Sequence, residues 1–208
     1  MLNRSPRLLV GLTGGLGSGK STALAELARL GAATASADAV AREFSGPGRP
    51  VSRAVRRLFG PSYLRGDGSV DRPAVARRVF RDPAARKRLE RVTHPAIIRE
   101  LRGVVERSRK RVAVVDAPLL FEAGMAPSFD LTVAVQAPRA QALRRVRARD
   151  GMSPAEASRR MRAQWPPVRK EAAADIVWRN ASSRAEFLKQ VRQYYRAWDL
   201  ITRSTQEK

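Results

Sequence analysis

Residues 8 to 22 read Leu-Leu-Val-Gly-Leu-Thr-Gly-Gly-Leu-Gly-Ser-Gly-Lys-Ser-Thr. An apolar run the length of one buried strand, residues 8–13, passes directly into Gly14-x-x-x-x-Gly19-Lys20-Ser21 and then into a helix-forming run, residues 22–30. A strand, a glycine-rich loop and a helix in that order leave little freedom of architecture. The glycines at Gly14, Gly15, Gly17 and Gly19 let the backbone curl until several N–H groups face one anion. The following helix adds the positive end of its dipole, Lys20 an ammonium for β- and γ-phosphates, and Ser21 a hydroxyl placed for Mg²⁺. Thr22 supports the loop or packs. The alternative is a glycine-rich turn beside a solvated lysine, and the flanking strand and helix speak against it.

The rest of the chain alternates in the same manner. Residues 33–36 read as a short strand leading to Asp38, after Gly31 ends the first helix. A short helix at 40–44 and the Ser45-Gly-Pro-Gly-Arg-Pro50 break follow. Helical patterning then continues through 51–59, 73–80, 83–92 and 95–109, interrupted by a turn at Arg65-Gly-Asp-Gly-Ser69. Strands are expected again at 112–115, ending in Asp116, at 131–135 and at 176–178. Helices are expected at 140–150 and 154–165, and Ser183 caps a long closing helix. Its Phe187, Leu188, Val191, Tyr194, Tyr195 and Trp198 recur at helical spacing, which reads as core packing rather than a base-stacking platform. A polar tail follows Thr202. Five strands separated by helices, with a phosphate loop first, imply a three-layer α/β fold on a parallel sheet.

Composition removes several kinds of chemistry. The chain has no cysteine and one histidine, His94, so disulfides, thiolate nucleophiles and Cys or His-cluster zinc sites are excluded together. No run of eighteen apolar residues occurs, and seven residues precede the first strand, so neither a membrane span nor a targeting peptide is expected and a cytoplasmic location is. The formal charge is +22, and six of the 41 basic residues are lysine, the other 35 arginine. The arginines are scattered through helices with much Ala, Gly and Pro. Two explanations stand: compositional drift with small polyanionic ligands, or real nucleic-acid affinity.

Beyond the loop, the chain is similar to the dephospho-CoA kinases. The resemblance rests on Thr13-Gly-Gly-Leu-Gly-Ser-Gly-Lys-Ser-Thr22, Ala37-Asp-Ala-Val-Ala-Arg42, Phe59-Gly60, Asp67-Gly-Ser-Val-Asp-Arg72 and Thr93-His-Pro-Ala-Ile97. It continues through Asp116-Ala-Pro-Leu-Leu-Phe-Glu122, Arg149-Asp150, Met161-x-x-Gln164 and Ala174-Asp-Ile-Val177. The Thr-His-Pro and Pro-Leu-Leu-Phe-Glu blocks are the specific ones. The resemblance implies an adenylate-kinase-like core with a five-stranded parallel sheet at 1–45, 110–140 and 174–208, a helical acceptor-binding domain at 46–109 and a lid at 141–173. It implies ATP and Mg²⁺, with dephospho-CoA phosphorylated on its ribose 3′-hydroxyl in the last step of coenzyme A biosynthesis. The nucleotide would lie on Gly15, Leu16, Gly17, Ser18, Gly19, Lys20, Ser21 and Thr22, with Arg149 and Asn180, and Ser21 would ligate the metal. Lys20, Asp38 and Arg145 would be catalytic, while Asp38, Arg72, His94, Asp116 and Leu119 would contact the acceptor.

Several roles stay double. Asp38 is the candidate base for the acceptor hydroxyl, or a helix cap. Asp116 positions the acceptor, or holds Mg²⁺ through water; His94 touches substrate, or is a satisfied structural group. The family has Asp-x-Asp where this chain has Ser36-Ala37-Asp38, so the first carboxylate is missing. A different small-molecule kinase of the same core would lack the two specific blocks. A nucleic-acid-dependent NTPase is favoured by charge alone. A monomer with at most weak, non-specific nucleic-acid binding and no membrane partner is expected.

Overall fold

The computed structural model describes residues 8–204. Strand β1, Leu8–Gly14, lies at the middle of a five-stranded sheet. Helix α1, Lys20–Arg29, begins at Lys20, where Gly19 in the left-handed region (φ 103°) turns the loop directly into the first helical N–H groups. Strand β2, Ala33–Ser36, and helix α2, Ala37–Glu43, follow, so the helix expected at 40–44 starts three residues earlier. Its start is fixed by Ser36, whose Oγ accepts from the Ala39 N–H.

Helices α3, Pro50–Phe59, and α4, Arg72–Arg81, match the expected helical run, and Asp71 caps α4 by accepting from the Ala74 N–H. The two helices expected at 83–92 and 95–109 are one, α5, Pro83–Ser108, with Pro95 inside it. Proline removes one N–H and crowds the preceding turn but does not have to end a helix that packing holds on both sides. Ile97 and Leu101, after the proline, are buried, and so is Ala85 before it.

Strand β3, Val112–Asp116, strand β4, Leu131–Gln136, and strand β5, Ile176–Arg179, complete the sheet in the order β2-β3-β1-β4-β5. β1 runs parallel to β3, from Leu8 opposite Val112 to Leu12 opposite Asp116. It is parallel to β4, and β4 to β5, as well. Strands buried on both faces read as continuous apolar runs, and Val10, Leu12, Val114, Val133 and Val135 are fully buried. Asp175 clamps the start of the β4–β5 pair: its Oδ2 accepts from the Thr132 Oγ1 at 2.6 Å and the Thr132 N–H at 2.7 Å. Those bonds hold its carboxyl below the usual range.

Helix α6, Arg139–Asp150, helix α7, Pro154–Arg162, helix α8, Pro167–Ala173, and helix α9, Arg184–Ser204, lie between and after the last strands. The single helix expected at 154–165 is thus shorter, and α8 was not expected. The Pro166-Pro167 pair stops one helix and starts the next, since the second proline sits at a first helical turn where a missing N–H costs nothing. On α9, Phe187, Val191 and Trp198 join β-strand residues in the main core, and Trp198 stacks on Trp178 with ring centroids 5.8 Å apart. The closing aromatic stripe is core, as its spacing implied. The polar tail beyond Ser204 lies outside the described residues.

Ser36–Val104 form one compact unit, and the described residues on either side of that span form the other, which carries the sheet apart from the last residue of β2. Among the described residues, no helix is long and apolar enough to cross a membrane.

Candidate active site

The carboxyl ends of β1 and β3 come together where the strand order departs in both directions from β1, the place at which open α/β sheets bind ligands. From β1 the chain enters the loop. Thr13, fully buried, donates from Oγ1 to the Pro118 carbonyl, tying the loop's base to the segment after β3. Ser18 N–H donates to Gly15 O, and Lys20 Nζ reaches back over the loop to the carbonyls of Gly14 at 2.8 Å and Gly15 at 3.1 Å.

Gly19 has a second reason to lack a side chain. A Cβ there would lie 2.2 Å from Asn180 Nδ2. Asn180 is buried at the end of β5, and its Nδ2 donates to Ser18 O at 2.8 Å. Its Oδ1 accepts from Arg145 at 3.1 Å, so one amide fastens the loop and an arginine of α6 together. Gly15 differs from its neighbours: its φ is not positive and nothing lies within 4 Å of the position a Cβ would take. The loop's curl therefore does not require glycine at Gly15, contrary to expectation.

One cleft of about 560 Å³ is lined by Leu16, Gly17, Ser18, Gly19, Lys20, Ser21 and Thr22 from the loop and α1, by Asp116 and Pro118 after β3, and by Arg145 and Arg149 on α6. The start of a ten-residue helix, an ammonium, a hydroxyl, a carboxylate and two guanidiniums share this space, a set that suits a polyphosphate. No cluster of three acidic or His side chains exists among the described residues, so protein groups alone do not cage a metal here. Arg149 forms a two-pronged ion pair with Asp150, 2.7 and 2.8 Å, which holds its guanidinium at the cleft.

Of the expected acceptor residues, Asp116 lines this cleft, and Leu119 in the following turn is 46% exposed. Asp38, Arg72 and His94 belong to the Ser36–Val104 unit. Asp38 does not sit at a strand end; it is exposed in the first turn of α2, and the helix cap is Ser36. Arg72 is exposed at the first position of α4. His94 is inside α5, not at a helix mouth, and burial lowers its pKa against the opposing charge of Glu90.

Sequence reasoning missed Lys170. Its side chain has no exposure, its Nζ pairs with Glu122 at 2.9 Å, and it also donates to the Pro118 carbonyl. Glu122 accepts the Trp165 N–H at 2.8 Å as well. This buried ion pair fixes the Pro-Leu-Leu-Phe-Glu turn against α8. A signal was available: in a chain with 35 arginines and six lysines, a lysine in an Arg-rich stretch is a place where a compact ammonium is needed.

Comparison with known proteins bears on these features. The family model described as dephospho-CoA kinase matches residues 8–186. A dephospho-CoA kinase of Anaeromyxobacter dehalogenans is 44% identical over 178 residues, covering 84% of each chain. One of Moorella thermoacetica is 48% identical over 160 residues, covering 75% of this chain and 76% of the other. Among solved structures, the Thermus thermophilus protein TT1252 superposes with a TM-score of 0.79 at 36% identity, over 92% of this chain and 97% of that one.

Proposed function

The chain belongs to the dephospho-CoA kinase family, and from that premise we propose that it transfers the γ-phosphoryl group of ATP to the ribose 3′-hydroxyl of dephospho-CoA, giving coenzyme A and ADP. The observation that carries this reading is the convergence of Lys20, Ser21, Asp116, Arg145 and Arg149 on one cleft at the start of α1.

Phosphoryl transfer asks a protein mostly for positioning and for positive charge at the equatorial oxygens. Lys20 offsets the β- and γ-oxygens, and Arg145, held by Asn180, stabilises charge as the group moves. When bound, Mg²⁺ would supply positive charge that offsets the phosphates. The residues present fit it through the Ser21 hydroxyl and, by way of water, Asp116, with the phosphates completing the set. Asp38 accepts the proton of the attacking hydroxyl, and Arg72, His94 and Leu119 contact the acceptor. Residues 46–109 act as the acceptor domain and 141–173 as the lid. The enzyme works in the cytoplasm as a monomer, and its nucleic-acid binding is weak and non-specific.

The test is ADP release with Mg-ATP and, separately, dephospho-CoA, adenosine or RNA. Release is expected with dephospho-CoA alone, with the new phosphate on the 3′ position. Stimulation by RNA without an acceptor would replace this reading by that of a nucleic-acid-dependent NTPase. Lys20→Ala should lower kcat by at least about 10³-fold while the chain stays folded, read by the same assay and circular dichroism.

A further inference from the structure

Pro118 lies two positions past Asp116, lines the candidate cleft beside it, and offers a carbonyl but no N–H. Two side chains donate to that carbonyl: Thr13 Oγ1, at the foot of the phosphate loop, at 3.1 Å, and Lys170 Nζ, from α8. Next to it the Ala117 N–H donates to Leu12 O at 2.9 Å, just past the point where Leu12 stands opposite Asp116 in the β1–β3 register. The backbone after Asp116 is therefore held at two successive residues. The pyrrolidine ring fixes φ at Pro118, so a hold on its carbonyl is passed back to Ala117, and from there to Asp116, with little slack.

Lys170 is itself held. Its Nζ pairs with Glu122 Oε1 at 2.9 Å, and that oxygen also accepts the Trp165 N–H. Gln136 Nε2, at the end of β4, donates to the Pro167 carbonyl at 2.8 Å, which fastens the start of α8 to the sheet. The ammonium thus carries a fixed position from β4 to the turn after β3.

Stability alone does not call for such a pair. A buried ammonium and carboxylate gain little over apolar side chains of the same volume, because desolvation offsets most of their attraction. This pair is also incomplete, since Glu122 Oε2 is shut off from solvent with no hydrogen-bond partner among the described residues. What an apolar pair could not do is donate to a carbonyl. An ammonium directs three donors to separate partners, so Lys170 serves the carboxylate and the Pro118 carbonyl at once. A planar guanidinium lacks that freedom, and in a chain where arginine outnumbers lysine 35 to six this position is lysine.

We propose, resting on the kinase reading above, that Lys170 is a positioning residue for phosphoryl transfer: through the Pro118 carbonyl, which it shares with Thr13, it sets where Asp116 stands relative to Lys20 and Ser21. Thr13 directly precedes the loop, and the carbonyl of the next residue, Gly14, accepts from Lys20 Nζ. One oxygen thus registers the turn that carries Asp116 against the loop that carries the ammonium and the hydroxyl. A misplacement of about 1 Å at such a site costs about 10²-fold in rate.

Lys170→Met combined with Glu122→Gln removes the donor without stranding a carboxylate, and glutamine keeps an oxygen for the Trp165 N–H. With dephospho-CoA and Mg-ATP this double variant should lose about 10- to 100-fold in kcat, with the KM for ATP within about threefold of wild type. Placed on Asp116→Asn, the same two substitutions should lower kcat by less than about threefold, because the group they position is already gone. An equal loss in both backgrounds, or a double variant with wild-type kcat, overturns the proposal. Amide hydrogen exchange judges the hold without turnover. In the double variant the Ala117 N–H should exchange at least about 10-fold faster relative to the N–H of Val114, in the buried middle of β3. Equal acceleration at both, which is what lost global stability gives, or no change at either, also overturns it. If the local acceleration is seen but wild type releases no ADP with dephospho-CoA, the kinase reading fails and the hold on Asp116 stands.

Discussion

Ser36 ends β2 and caps α2, with its Oγ accepting from the Ala39 N–H at 3.2 Å. Ser36 stands where the resemblance puts an acid, and it caps the helix, a task to which serine and aspartate are both well suited. Asp38, two residues on, is in the first turn of the helix with its side chain exposed. The two residues do not alternate along one strand, so they are not interchangeable carboxylate positions. Asp38→Asn should lower kcat by about 10² to 10⁴, the worth of a positioned general base, with little change in the KM for ATP. Ser36→Asp should alter kcat by less than about threefold and leave stability within about 0.5 kcal/mol, whereas Ser36→Ala should cost about 1 kcal/mol. Steady-state kinetics and denaturant titration check all three. Strong activation by Ser36→Asp together with a silent Asp38→Asn would move the base to position 36.

Between elements, two charged contacts carry more than surface pairs do. Glu26, buried on α1, accepts from Arg29 on its own helix and from Arg192 on α9. The hydrogen bond from Arg29, and then that from Arg192, bring its carboxyl from the usual 4.5 down to about 2, against the opposing effect of burial. A depressed carboxyl binds fewer protons in the folded chain than in the unfolded one. Its contribution is therefore complete above about pH 4.5 and is lost as pH falls toward 2. Glu26→Gln should lower stability at neutral pH by about 1–2 kcal/mol, since both arginines are partly exposed, and should flatten the acid limb of a stability–pH profile measured by denaturant unfolding. The second contact is Lys170 with Glu122. Lys170→Met should cost about 3–5 kcal/mol in chemical denaturation by stranding a carboxylate, and Lys170→Met with Glu122→Gln should recover part of it. At this scale the sequence was partly legible. All five strands and the phosphate loop announce themselves through apolar runs and glycine spacing. The unity of α5 and the existence of α8 do not, because tertiary packing overrides the proline at Pro95 and the Pro166-Pro167 pair hides a helix start inside an apparent stop. The cleft was readable in Lys20, Ser21, Asp116, Arg145 and Arg149, while the rarity of lysine marks Lys170 but spacing along the chain gives no hint of its partner 48 residues away.

Charge belongs to the whole molecule. Against 19 acidic residues stand 41 basic ones, so one-to-one pairing would leave 22 basic groups without a carboxylate. Several of the pairs among the described residues are exposed helix pairs such as Arg78 with Asp82 and Arg160 with Glu156, which contribute little each. The arginines that line the candidate site, Arg145 and Arg149, are anchored by Asn180 and Asp150, and many of the other described arginines lie on helices. A scattered excess of this size attracts any polyanion by counterion release, which is strong at low salt and carries no sequence information. Fluorescence anisotropy with labelled duplexes of unrelated sequence should therefore give equal affinities within about threefold, and the affinity should fall by roughly 10³-fold or more between about 50 and about 200 mM salt. ADP release should not respond to the duplex at the higher salt, where binding has gone, while the dephospho-CoA reaction proceeds. A sequence preference that survives the higher salt, or duplex-stimulated ADP release there, would mean that part of the +22 charge is organised into a nucleic-acid site rather than spread as an electrostatic background.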